Sequence, residues 1–315
     1  IDRISEVELE RYDELLKELW NLVAAFEEGD EPDYDFVLID EAQDWPEAER
    51  DIVFKLFGPR RCIVADGVDQ LVRSDRSTDW TARLKGSPSQ VVPLRQSLRL
   101  KANLTEFANA VAEELDVPGW RLQVNNEISG GSVTIIVGPL SAAITRLEDV
   151  FAGLNDGVNQ PIDSLICVPF TSSISNDTRR IIESLEQMNI GCWDGTDRKI
   201  RVSFPSKLEQ ARMVTYDSCR GLEGWSVVCV SIDQLFDHKL KHHDGSGNDD
   251  LYTTAEQAAQ RFAAAWVMIP LTRAMDHLVI HIQQPDHLLA QVMDRIQTRF
   301  GGSDGWLQVI RAGGD

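Results

Sequence analysis

No stretch of this chain stays apolar for the ~18–20 residues that a membrane-crossing helix needs. A helical membrane span within it is thereby excluded. Its five cysteines, Cys62, Cys167, Cys192, Cys219 and Cys229, include no C-x-x-C pair. That spacing excludes a zinc ribbon, and the odd count leaves no complete disulfide framework. The expected compartment is therefore reducing and cytoplasmic. The six histidines add no metal pattern, because His242 and His243 lie in a Gly/Asp-rich stretch that reads as solvated loop. No signal peptide opens the chain at Ile1. No glycine-rich phosphate loop of the form G-x-x-x-x-G-K-[ST] occurs anywhere. Positive charge is also scarce: 31 Lys and Arg stand against 51 Asp and Glu, a net charge of −20. That deficit weighs against nucleic acid as a partner.

The deficit is local. Residues 1–51 hold 19 Asp and Glu against Arg3, Arg11, Lys17 and Arg50, so −15 of the −20 sits there. The remainder is near neutral and leaves room for a basic groove. With 43% hydrophobic and 26% charged residues, the composition is that of a globular protein. A length of 315 residues suits two domains, each with its own core.

The run Phe36-Val37-Leu38-Ile39 is too short for a helix and reads as a buried strand. Asp40-Glu41-Ala42-Gln43-Asp44 follows where that strand ends. In open α/β sheets, chemistry collects at the carboxyl ends of strands. One carboxylate can hold Mg²⁺ through its water shell, and the next can orient or deprotonate a water. The competing reading is an acidic turn.

Apolar spacing over 4–28 predicts an amphipathic acidic helix stopped by Gly29. A helix is predicted from Trp45 to Phe57, with Pro46 at its first turn. Cys62 to Ala65 is a second strand, again followed by an acid, Asp66. Residues 71–88 are polar and irregular, and Gln90 to Leu94 is a short strand. A domain boundary falls near Pro93-Leu94. Beyond it, helices are predicted over 103–115, 141–154, 175–188, 254–274 and 287–300. Strands are predicted over 133–137, 165–168, 213–215, 227–230 and 278–282. Residues 190–210 are turn-rich, His238 to Asp250 reads as a polar loop, and the tail from Gly301 carries no signal. Alternation of helix and strand predicts an α/β fold with parallel sheets.

Four further stretches carry polar groups in unusual combinations. Asp66 and Gln70 follow the second strand. Arg95 and Arg99 lie just past the boundary, and arginine's planar fork suits bidentate phosphate contact. Thr215, Asp217, Arg220 and Glu223 sit together with Gly221 and Gly224 between two buried strands. Arg273 ends an Ala-rich helix, where on its own it would complement the helix dipole in solvent.

In their order, these stretches resemble the motifs of superfamily 1A DNA helicases of the UvrD/Rep/PcrA type. Leu38 to Asp44 looks like motif II and Asp66 to Gln70 like motif III. Leu94 to Arg99, with Ala102-Asn103-Leu104 and Ala108-Asn109, looks like motif IV. Val214 to Glu223 is similar to motif V and Leu271-Thr272-Arg273-Ala274 to motif VI. The resemblance implies two RecA-like parallel-sheet domains, 1–93 and 94–315, the first truncated at its N-terminus. It implies ATP and Mg²⁺ as cofactors and single-stranded or partly duplex DNA as partner, with RNA left open. It implies 3′-to-5′ movement coupled to hydrolysis. By the same resemblance Asp40 binds Mg²⁺ through water, Glu41 activates the hydrolytic water, and Gln70 senses the γ-phosphate. Asp66 lies beside that site. Arg99 and Arg273 act as arginine fingers, and Glu223 contacts the nucleotide. Thr215 and Arg220 couple nucleotide to DNA, with Arg220 also near the nucleotide.

Three departures qualify the expectation. The phosphate loop of motif I is absent. The aromatic stretch after motif III is replaced by Leu71 to Arg76, leaving Arg73 and Trp80 as the nearest DNA-coupling candidates. Motifs IV and V are only ~115 residues apart, too close for a large accessory insertion. The rival reading is a non-catalytic, helicase-like interaction module, with the acidic first helix as a protein-binding face. Because the phosphate cradle is missing, these 315 residues alone are expected neither to bind ATP tightly nor to turn it over. A steady-state ATPase assay on the isolated chain checks this, and a rate well above background refutes it.

Overall fold

In the computed structural model, residues 11–25, 34–67, 78–81, 90–92, 96–153, 159–169, 174–243, 253–300 and 305–312 are described. The chain divides into two compact units, Ile1–Pro93 and Leu94–Asp315. The architecture is α/β with parallel strands in both.

The first unit holds helix α1 (Tyr12–Val23), strand β1 (Val37–Ile39), helix α2 (Glu47–Phe57) and strand β2 (Cys62–Val64). The two strands pair in parallel, Leu38 opposite Ile63. One face of this small sheet packs on Phe54 and Trp80. On the other, Leu38 and Ile63 are 75% and 54% exposed. Tyr12 on α1 donates its hydroxyl to Glu49 on α2. Arg50, almost fully buried, pairs with Asp51 and donates to the Asp79 carbonyl at 2.7 Å, which fixes 78–81 against α2. The flanks of the predicted first helix and most of 71–88 lie outside the described residues. Gln90 to Val92 do not form the strand predicted there.

The second unit is one seven-stranded sheet. Its strands are β3 (Ser132–Val137), β4 (Ser164–Val168), β5 (Gly191–Asp194), β6 (Gln210–Thr215), β7 (Gly224–Cys229), β8 (Ala274–Ile282) and β9 (Leu307–Arg311). Their spatial order is β5-β6-β4-β7-β8-β3-β9, and every pairing is parallel. Parallel sheets need cover on both faces, and six helices supply it: α3 (Ala102–Glu114), α4 (Leu140–Gly153), α5 (Ile174–Gln187), α6 (Ile232–Lys241), α7 (Ala255–Leu271) and α8 (Leu288–Phe300). Alternate residues of each strand face opposite layers. Ile135, Val227 and Leu278 pack with Phe107 of α3 and Met268 of α7. Ile136, Val228 and Val279 pack with Leu140 of α4 and Ile181 of α5.

Three elements depart from the sequence reading. Strand β5 lies inside the stretch expected to be all turn. Helix α6 covers residues expected as connection and loop. Strand β9 lies in the tail and pairs with β3. Among the described residues, no helix is long and apolar enough to cross a membrane.

Phe107 is fully buried at the centre of the larger core layer. Phe107→Ala is expected to lower stability by about 3–5 kcal/mol. Urea unfolding followed by near-ultraviolet circular dichroism checks the magnitude.

Candidate functional site

In the first unit, β1 ends on Asp40 and the chain turns sharply. Glu41 takes a left-handed backbone, φ 51°, ψ 40°. That conformation costs a non-glycine residue roughly 1–2 kcal/mol, and the surroundings must hold it. They do so through Gln43, a buried amide. Its Nε2 donates to the Glu41 carboxylate at 2.7 Å, and its Oε1 accepts the Gly67 N–H at 2.8 Å. The Ala42 N–H donates to the Ala65 carbonyl at 2.9 Å, and the Trp80 indole N–H to the Ala42 carbonyl at 2.8 Å. The two strand ends are thus laced together, with Glu41 aimed by an amide. A Cβ on residue 67 would lie 2.9 Å from Gln43 Nε2, so a larger residue there would push the Gln43 amide off its present position. Asp40 is exposed, and its Oδ1 accepts the Glu41 N–H at 2.9 Å. Asp66 is exposed just past β2. Gln70 and Arg73 lie outside the described residues, as do Leu94 and Arg95.

Trp80 corrects one expectation. Proposed as a stand-in for a base-stacking aromatic, it is 5% exposed and packs edge-on against Trp45 and Phe54. Its ring is core, and its N–H fixes the Glu41 turn. No face is left for a base.

In the second unit, the parallel strands gather residues distant in sequence at one edge. Arg212 is third in β6, Glu223 immediately precedes β7, and Arg273 immediately precedes β8. The Gly224 N–H donates to the Arg273 carbonyl at 3.1 Å. A Cβ on residue 224 would meet the Ser226 and Asp163 carbonyls at 2.8 and 2.9 Å, so this approach also requires glycine. Arg99 reaches Glu223 at 3.5 Å from the turn before α3, where the Ser97 hydroxyl accepts the Arg99 and Leu100 N–H groups. Arg212 Nη2 donates to the Glu223 carbonyl at 2.7 Å. The Nε atoms of Arg99 and Arg212 are buried without a hydrogen-bond partner. Burial lowers the Arg212 pKa, opposed by the nearby Asp163 and Glu223 carboxylates. Lys101 supports this edge, pairing with Asp276 at 2.5 Å and lying over the Trp225 ring.

Arg273 departs from the solvated cation expected of a lone arginine there. It is 5% exposed, and its Nε donates to the Ile269 carbonyl at 2.9 Å. The guanidinium caps the C-terminal carbonyls of α7, the favourable end of the helix dipole for a cation. Asn103 and Asn109 bond to the Gly131 and Leu122 backbones and serve structure.

Thr215 sits at the opposite edge, where β6 ends. Its Oγ1 donates to Ser218 Oγ at 3.1 Å, and Ser218 Oγ also accepts from Arg201 at 3.0 Å. Asp217 pairs with Lys239 of α6 at 2.5 Å, and that ammonium lies 3.4 Å from the Trp266 ring centroid. Arg220 is half-buried in the connection back to Glu223.

No family model matches the chain, and no curated protein matches it.

Thiol chemistry has no support in this unit. Cys167, Cys219 and Cys229 are free and fully buried. The Cys167 thiol is pushed up by its hydrogen bond with Cys219 and by burial, and Cys229 by burial. Burial raises Cys192 to about 12. Thiols so raised are inert.

Gln43 and Arg212 received no role from the sequence. Arg212 did leave a signal, a cation inside an apolar strand. Gln43→Leu should leave the Gly67 N–H unpaired and release Glu41. The Gly67 amide is expected to exchange with deuterium at least about tenfold faster. Nuclear magnetic resonance of the labelled chain measures this directly.

Proposed function

We propose that the chain carries the nucleotide-responsive part of an ATP-dependent DNA helicase or translocase, built on two RecA-like units. The observation that carries this reading is the convergence of Arg99, Arg212, Glu223 and Arg273 at one sheet edge. They come from sequence positions up to 174 residues apart. Two of the guanidinium groups there have buried, unsatisfied Nε atoms. Half-buried guanidinium groups with unused donors are suited to a phosphate.

This edge holds the amino ends of the strands, whereas a resident ligand of an open α/β sheet sits at the carboxyl ends. Arginines at the amino edge therefore fit a donor role: they act on a phosphate bound principally by other residues. Arg99 stabilises charge on the phosphoryl group, and Arg273 is the second finger. Glu223 neutralises Arg99 and exchanges that contact for the nucleotide sugar.

Asp40 and Glu41 stand at the carboxyl end of β1, where metal and water chemistry belongs. Mg²⁺ is held by one or two carboxylates together with phosphates and waters. Among the described residues no group of three or more His, Cys, Asp or Glu could hold a metal. Asp40, exposed where β1 ends, would be the carboxylate that holds Mg²⁺. When bound, Mg²⁺ neutralises charge on the phosphate oxygens. Glu41, aimed by Gln43, orients and deprotonates the attacking water. Thr215 and Arg220 link this chemistry to the DNA strand through the turn between β6 and β7.

The test is DNA-stimulated ATP hydrolysis by the polypeptide as its own gene encodes it. Glu41→Gln and Arg99→Ala are each expected to lower kcat by about 10³ or more. Hydrolysis indifferent to both changes refutes the reading. Absence of hydrolysis in the unmodified polypeptide supports the non-catalytic module instead.

A further inference from the structure

The connection from β5 to β6, residues 195–209, carries Arg198, Lys199, Arg201 and Lys207 with no acid between the first and the last. This is unusual in a chain of net charge −20. Elsewhere many cations are neutralised: Arg50, Arg99, Lys101, Lys239, Arg261, Arg295, Arg299 and Arg311 each pair with a carboxylate. Among the described residues, none of the four loop cations makes an ion pair. Between them stands Phe204, 92% exposed, with Val202 at 78%. A lone exposed apolar side chain is ordinary; an aromatic ring set among cations is the combination that bases and phosphates use.

The loop is held in place. The Trp193 indole N–H donates to the Ser203 carbonyl at 3.1 Å, beside Phe204. The Arg201 N–H donates to the Asp197 carbonyl at 2.9 Å, and Ser203 N–H to the Ile200 carbonyl at 3.1 Å. The Arg201 side chain donates to Ser218, which is bonded in turn to Thr215. The loop runs from the carboxyl end of β5 to the amino end of β6, and Arg201 ties its middle to the turn at the carboxyl edge, where open α/β sheets take ligands. An exposed aromatic among unpaired cations matches the chemistry of single-stranded nucleic acid. Bases stack on the ring and phosphates meet the cations.

We propose that the β5–β6 loop is a single-strand binding site, with Phe204 as the stacking platform and Arg198, Lys199, Arg201 and Lys207 as phosphate contacts. This rests on the nucleic-acid half of the function proposed above. Arg201 carries the contact inward, so an occupied loop bears directly on the Thr215–Ser218 turn.

The test is fluorescence anisotropy of labelled oligo-dT with the full chain, across a salt series. Phe204→Ala is expected to weaken binding about 5- to 100-fold, and Phe204→Trp to retain it. Lys199→Glu with Lys207→Glu is expected to flatten the dependence of log K on log salt by roughly 0.7 per cation removed. Phe204 and both lysines are exposed, so unchanged melting temperatures are expected alongside. If the wild type binds oligo-dT and no loop variant alters it, the loop proposal fails while the motor reading stands. If the wild type does not bind oligo-dT even at low salt, both nucleic-acid claims fail. Equal affinity for poly-glutamate, unaffected by Phe204→Ala, would mark a general anion or protein surface and overturn the proposal.

Discussion

Seven strands running the same way impose one constraint on everything else in the larger unit. All amino ends lie on one edge and all carboxyl ends on the other, with both faces sealed by helices. Polar chemistry has only those two edges. Arg212, Glu223 and Arg273 come together because their strands are neighbours in the order β6-β4-β7-β8, although up to 61 residues separate them. Thr215 is eight residues from Glu223 in sequence, yet it sits at the other edge, because the intervening turn runs the height of the sheet. The stretch from Thr215 to Glu223 therefore connects two surfaces and is not itself one site.

The smaller unit solves a different problem. Two short parallel strands offer little ladder to fix their ends. Side chains add to that ladder: Gln43 and Trp80 bond across the strand ends, and Arg50 pins the segment that carries Trp80. The left-handed backbone of Glu41 is maintained by these bonds. Its strain and its aim have the same cause. The open face bearing Leu38 and Ile63 shows that burial does little on that side. Polar bonds therefore weigh more in this unit than in the larger one.

What was legible in the sequence follows the same division. Strands such as Val133–Val137 and Leu165–Val168 are continuous apolar runs because both faces are buried, and they stand out. Helices such as Leu288–Phe300 show their period because one side faces solvent. Strand β5 hides because it is an edge strand, Gly191-Cys192-Trp193-Asp194, only half-buried. Strand β9 hides behind a glycine-rich approach, and only its pairing with β3 makes it a strand. Helix α6 was obscured because His238, Lys239 and Lys241 crowd its last turn, which reads as loop by composition. In the candidate site, Asp40 and Glu41 stood out from their position at a strand end, and Glu223 only as part of a polar stretch between two buried strands. The supporting role of Gln43 was not, since nothing local distinguishes an amide that bonds across 24 residues. Trp80 misled for the opposite reason: an aromatic in a polar stretch suggests a surface, and only the tertiary fold buries it.

The two candidate fingers differ in how they are held, and the difference has a consequence. Arg99 is 30% exposed, and its guanidinium is tied by a single 3.5 Å contact to the half-exposed Glu223 carboxylate. Contacts of that kind contribute at most about 1 kcal/mol. Arg273 is almost fully buried, with bonds to Ile269 and Thr272 that also satisfy the end of α7. Recruiting it to a phosphate breaks both bonds, although the Ile269 carbonyl keeps the Thr272 N–H and hydroxyl as donors. Arg99 can therefore answer a phosphate by a side-chain swing, whereas Arg273 has first to be uncovered and to give up two buried hydrogen bonds. Helix α7 also carries Trp266 against Lys239, which holds Asp217 in the turn after Thr215. Any movement of α7 that frees Arg273 at the amino edge thus loads the turn at the carboxyl edge. Helix α7 meets both edges through named side chains, alongside the Thr215–Glu223 stretch that joins them along the chain.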